Sequence, residues 1–181
     1  MSCLCNVIRH SNERQNFLNM VTNSIDPIVD QLNLQTRLLK NVISGIDDEA
    51  AHKKLEGSPN HAAWITGHLV SSRYDLANMI GITDKEPFPE LFGNRKGIQQ
   101  DVKYPSMNVL TKGWDEIGKK LTKSLSEMTD EELGKPLPFP LPSGNNTILG
   151  LAAFISHHEA YSIGQLSIIR RFLGLNAMSY E

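Results

Sequence analysis

Two cysteines, Cys3 and Cys5, are all that a chain of 181 residues contains, and both lie in its first five positions. Thiols that close together and that near a terminus cannot staple a fold, so they read as a reduced pair on a leader and the core must hold by packing. A domain of this size buries about two thirds of its unfolded surface, which suffices without disulfides or a structural metal. No apolar run approaches the roughly 20 residues of a membrane-spanning helix, and this excludes a transmembrane segment. The stretch from Met1 to Asn12 also lacks the basic start and unbroken apolar run of a signal peptide, so a cytoplasmic protein is expected. Neither sign of charge dominates. With 18 basic and 20 acidic residues the net charge is −2, and the lysines and arginines are scattered, which argues against nucleic acid and membrane surfaces as partners.

What remains is helical periodicity. Asp26-Pro27 offers a helix start, and Ile28, Leu32, Leu39, Val42 and Ile46 then recur on one face up to a stop near Gly45. Residues 11–21 predict a short helix or an extension of the first. After Ser58-Pro59 a second helix carries Ile65, Leu69, Leu76 and Met79 and stops at Gly81. The pattern then dissolves from Ile82 to Pro105, a long loop that either covers a site or is disordered. Ser106 caps a third helix with Leu110, Trp114, Ile117, Leu121, Leu125 and Met128 in register. Prolines 136, 138, 140 and 142 force an extended spacer, and a fourth helix runs from about Thr147 to Leu173. Nothing alternates with period two. The expected fold is therefore all-α, a four-helix bundle over residues 26–175, between a leader, 1–25, and a tail, 176–181.

The fourth helix carries the functional signal. Its inward stripe, traced from Ile148, Ala152 and Ile155 to Ile169 and Phe172, is interrupted by His158, Ser162 and Gln165. Buried polar groups without partners cost about 1 to 3 kcal/mol each, so three in succession imply a hydrated cavity, a mutual network or a ligand. His68 interrupts the apolar face of the second helix in the same way, and neighbouring helices would let the two histidines meet. Gly164, inside the fourth helix, suggests a close helix approach.

Residues 60–69, Asn-His-Ala-Ala-Trp-Ile-Thr-Gly-His-Leu, and 158–166, His-Glu-Ala-Tyr-Ser-Ile-Gly-Gln-Leu, together resemble the two signature segments of the DinB-like (YfiT-like) superfamily. The Ser-Pro turn before the second helix and Thr-Asp-Glu-Glu-Leu at 129–133 extend the likeness to roughly 26–175. The resemblance implies up-down-down-up topology, frequent dimers, and a divalent metal held by three histidines. Trp64 and His68 match one segment and His158 the first histidine of the other, but the third ligand position is Ser162. A catalytic Zn²⁺ or Ni²⁺ wants three protein ligands and an open position, and a neutral hydroxyl replaces imidazole poorly. Metal binding is thus expected to be weak or absent. His157 should point elsewhere, His61 lies too far along its helix to share an ion, and Glu159 faces about 100° off the stripe.

Two classes of function follow. One is a divalent-metal-dependent thiol transferase or hydrolase-like enzyme with a degenerate triad, His68, His158 and Ser162, in a pocket shared with Trp64 and Gln165. The other is a metal-free protein of the same fold that binds a small molecule or serves as a structural homodimer, its fourth helix meeting a second copy through Phe154, Ile163 and Ile168.

Overall fold

The computed structural model describes residues 23–180. The expectations for the leader, including Cys3, Cys5 and a helix at 11–21, lie outside the described residues. Seven α-helices and one 3-10 turn account for the regular structure, with no strand among the described residues beyond an isolated bridge between Pro136 and Thr147. The all-α expectation holds. Four helices are long: α1 (Asp26–Ile43), α3 (Ala62–Met79), α5 (Met107–Ser126) and α7 (Ile148–Phe172). Three are single turns: α2 (Asp48–His52), α4 (Pro89–Phe92) and α6 (Asp130–Leu133). Helices α1 and α3 each pack against both α5 and α7. No helix of the described residues is long and apolar enough to cross a membrane.

Helix starts follow local chemistry. Side chains of Ser106, Thr129 and Thr147 accept from free backbone amides in the first turns of α5, α6 and α7, satisfying donors that a helix leaves unpaired. At α3 the same task falls to an imidazole: His61 Nδ1 accepts from the Trp64 amide at 3.1 Å. That nitrogen must be unprotonated to accept, so the His61 proton is on Nε2. The core is the predicted one for α1, α3 and α5, with Leu32, Leu39, Leu69, Leu76, Trp114 and Leu121 all fully buried.

Three expectations are corrected. The stretch 82–105 is the expected connection without a long helix, but the disordered alternative is corrected: α4, the 3-10 turn and buried Leu91, Phe92 and Tyr104 anchor it, and Tyr104 accepts at its hydroxyl from the Gln99 amide. The close glycine approach occurs at Gly67, where an added Cβ would lie 2.1 Å from the Phe92 ring, and not at Gly164, which faces open space. Finally, the buried line of α7 passes through Ile155, Glu159, Ser162, Leu166 and Ile169, leaving His158 and Gln165 half-buried at its edge and Phe172 exposed. Steps of four, three, four and three keep that line on one face of the helix.

Candidate functional site

Glu159 points into the core because Arg73 of α3 meets it there. Arg73 Nε and Nη2 donate to the two Glu159 carboxylate oxygens at 2.8 and 2.9 Å, and neither side chain is exposed. The remaining donors of the guanidinium reach Thr36 Oγ1 at 2.8 Å and the Leu32 carbonyl at 3.0 Å, both on α1. Its Cζ lies over the Trp114 ring of α5, 3.3 Å from the centroid, and a Cβ at Gly118 would fall 2.3 Å from Nη1, so glycine makes the room. Burial pushes the Glu159 carboxyl up, and the guanidinium opposes it. One fork-to-fork pair thereby links all four long helices through their most deeply buried charges.

Each partner of that pair has a histidine near it in sequence. His158 precedes Glu159, His68 lies five residues before Arg73, and their Nε2 atoms are 2.9 Å apart. The rings meet edge to face, while Trp64 stacks on the other side of His68 with an interplanar angle of 6°. A hydrogen bond between two imidazole nitrogens requires one to donate and the other to accept. Burial, then the nearby His158, pushes His68 down to about 4; burial, then His157, lowers His158. Both rings are therefore neutral near pH 7. His68 Nδ1 and Trp64 Nε1 are buried without a hydrogen-bond partner among the described residues.

The imidazole pair borders a cavity of about 990 Å³. Helix α3 contributes Ser72, Asp75 and Met79 below His68, and α7 contributes Leu151, Phe154 and Ile155 beside His158. A third wall comes from the proline-rich connection, Phe139 to Pro142, and the segment after α4 adds Asn94. That connection is held at its base by the Leu137 amide donating to the Asn146 carbonyl, and the Leu141 amide donates to Asn146 Oδ1.

The sequence-predicted site residues divide accordingly. His68 and His158 come together on the cavity wall. Trp64 is half-buried against His68 and is not part of the lining; Ser162 is buried in the core and Gln165 is half-buried, and neither lines the cavity. His157 is exposed, as the spacing implied, and His61 is committed to its cap, a role the spacing did not suggest. Arg73 and the cavity wall at 139–142 are the residues that sequence reasoning missed. Against a resident metal the donor set falls short. Two imidazole nitrogens hydrogen-bond each other, Ser162 supplies no third ligand on the cavity, and no group of three His, Cys, Asp or Glu among the described residues could hold an ion. The residues present do not fit a three-ligand centre.

A sequence model of the DinB superfamily matches residues 31–166, well over half of the chain, from within α1 to Leu166 of α7. Comparison with curated proteins finds no match.

Proposed function

The chain belongs to the DinB superfamily, and from that premise and the cavity's geometry we propose that it is a metal-free small-molecule-binding protein whose polar anchor is the His68–His158 pair. The up-down-down-up order of the bundle belongs to the same reading. One observation carries it: two neutral imidazoles, joined nitrogen to nitrogen at 2.9 Å, border a cavity that is otherwise mostly apolar. Ligand sites combine apolar walls with a few convergent polar groups, and this arrangement has that form. A ligand hydroxyl, carbonyl or amine displacing one imidazole from the other finds both a donor and an acceptor waiting. The pair also suits proton transfer, since a neutral imidazole accepts at one nitrogen while it donates at the other. A metal-dependent thiol transferase needs a third ligand, which position 162 does not provide.

Nuclear magnetic resonance tests this with phenylbutanol, a neutral probe with an apolar body and one hydroxyl. Saturable shifts of the His68 and His158 ring signals are expected, with affinity lowered several-fold in His158→Ala. Shifts that never saturate, or that avoid both rings, would overturn the reading.

A homodimer is the second reading, and the outer face of α7 supports it. Tyr161, Ile168 and Phe172 are 64%, 59% and 74% exposed along that face. Of the three residues expected at a dimer contact, only Ile168 is exposed; Ile163 is in the core and Phe154 lines the cavity. Apolar side chains in such a row are characteristic of surfaces that find a partner. Light scattering should give twice the monomer mass at micromolar concentration, reverting to the monomer in Ile168→Glu; a monomer before substitution counts against it.

A further inference from the structure

The exposed apolar residues of α7 do not stand apart from the cavity. Phe154, His158, Tyr161, Gln165, Ile168 and Phe172 follow one another at steps of four, three, four, three and four, the seam spacing of paired helices. Phe154 and His158, at the start of the seam, line the cavity. Phe172, at its end and 74% exposed, stands in solvent about 27 Å away along the helix axis. The seam therefore joins a recess to a projecting ring. Between Ile148 and Ile169 the one Lys, Arg, Asp or Glu is Glu159, which is buried against Arg73, so the outer face of α7 offers water no formal charge. The outer face of α5, by contrast, carries Lys112, Glu116, Lys119 and Lys123. Gly164 flanks the middle of the seam. A Cβ there would meet nothing within the chain, although glycine inside a helix costs about 1 kcal/mol relative to alanine.

We propose that a second copy of this chain packs α7 antiparallel against α7, and that its Phe172 closes the cavity beside Phe154 and His158. This rests on the readings of the cavity as a ligand site and of α7 as a dimer face, and joins the two. A two-fold contact matches a patch to itself, so each recess must receive a projection from the same patch. Only the antiparallel arrangement brings the projecting end of the seam to the recessed end. An axis through its middle sets 154 opposite 172, 158 opposite 168 and 161 opposite 165. The Tyr161 hydroxyl is then level with the partner's Gln165, and the partner's Ile168 covers His158. Gly164 lies beside the axis, where the missing side chains of both copies let the two backbones approach. Opposite ends of the two helix dipoles also meet. Partner choice between different helices is set by flanking charges, and this seam has too few to specify another sequence. Each cavity is therefore built from both copies.

Cross-linking reads the register. Phe154→Cys and Phe172→Cys are each made in a chain whose own thiols are removed by Cys3→Ser and Cys5→Ser, one of the two carrying a size tag. A short bismaleimide should join the two proteins when they are mixed and neither protein to itself, since like positions lie about 27 Å apart in the pair. Self-linking of either protein, or no linking in the mixture, overturns the proposal. Ligand binding reads the shared wall. Phenylbutanol, titrated at a concentration where light scattering shows the dimer, should bind several-fold more weakly in Phe172→Ala and in Ile168→Glu, although neither residue lines the cavity of its own chain. Phe172→Leu, which restores an apolar side chain, should recover most of the affinity. Equal affinity in the unsubstituted protein and in monomeric Ile168→Glu, with His158→Ala still weakened, overturns the shared wall and leaves the ligand site standing. If the unsubstituted protein is a dimer that binds no phenylbutanol, the ligand reading falls and this proposal with it.

Discussion

Arg73 and Glu159 face each other through two hydrogen bonds of 2.8 and 2.9 Å with no solvent on either side. Their chain neighbours carry the imidazole pair, so the rotation of α7 that brings Glu159 to Arg73 also brings His158 to the cavity wall. Breaking a buried pair by removing one member leaves the other charge stranded, at a cost of about 3 to 5 kcal/mol. Arg73→Met should therefore lose stability of that order in urea denaturation. Replacing both members, Arg73→Met with Glu159→Leu, should recover most of the loss, because two apolar side chains need no partner. A double variant as unstable as the single one would show that the pair itself, and not the stranded carboxylate, supplies the stability.

The imidazoles predict how stability depends on pH. His68 is pushed down to about 4 by burial and then by His158, while the unfolded chain titrates near 6.5. Between those values the unfolded state binds more protons, so stability is complete above about 6.5 and declines as the pH falls toward 4, by on the order of 2 to 3 kcal/mol. His158 and His61 are also lowered, chiefly by burial, and act in the same direction. Thermal unfolding followed across this window should show a midpoint that is flat near neutrality and falls on acidification, with a shallower fall in His68→Ala. Identical slopes in the two proteins would refute the assignment.

Position 162 predicts a gain of metal binding. It follows His158 by one helical turn, the i, i+4 spacing at which two imidazoles of a helix share an ion. Ser162→His should bind Zn²⁺ at one equivalent and unfold at a higher temperature when Zn²⁺ is present, whereas the unsubstituted protein should show neither effect. Adding His68→Ala should abolish the gain, and adding His157→Ala should not, since His157 is exposed. Stoichiometric Zn²⁺ on the unsubstituted protein would contradict the two-donor description of the site.

Much of this arrangement was legible in the sequence where it depended on one helix at a time. Three-four spacing located α1, α3, α5 and α7, and the interruption of apolar faces at His68 and His158 marked the two residues that meet. The stripe of α7 reads correctly from sequence at Ile148, Ala152, Ile155, Ser162 and Ile169, but takes His158 for Glu159 and Gln165 for Leu166, because a glutamate is a poor candidate for the core unless its partner is known. That partner, Arg73, is on another helix 86 residues away. Pairwise contacts of this kind leave no local period, and the same holds for the wall at 139–142. Proline spacing there signals an extended connection but not what it leans against. The anchoring of 82–105 was hidden for a related reason: Phe92 and Tyr104 are isolated aromatics in a polar stretch, and only their tertiary neighbours make them core.

The proline-rich wall has a consequence for how tightly any ligand is held. Prolines at 138, 140 and 142 fix one dihedral at every second residue, and Asn146 clamps the segment from beneath. Such a wall has little conformational freedom left to surrender when the cavity fills. Ordering a flexible loop around a ligand subtracts from affinity, by about 0.5 to 1.5 kcal/mol for each immobilised side chain alone. Here that ordering is largely made when the chain folds, so a guest of the proposed site would meet a wall already set to its width, and one of another width would fit poorly.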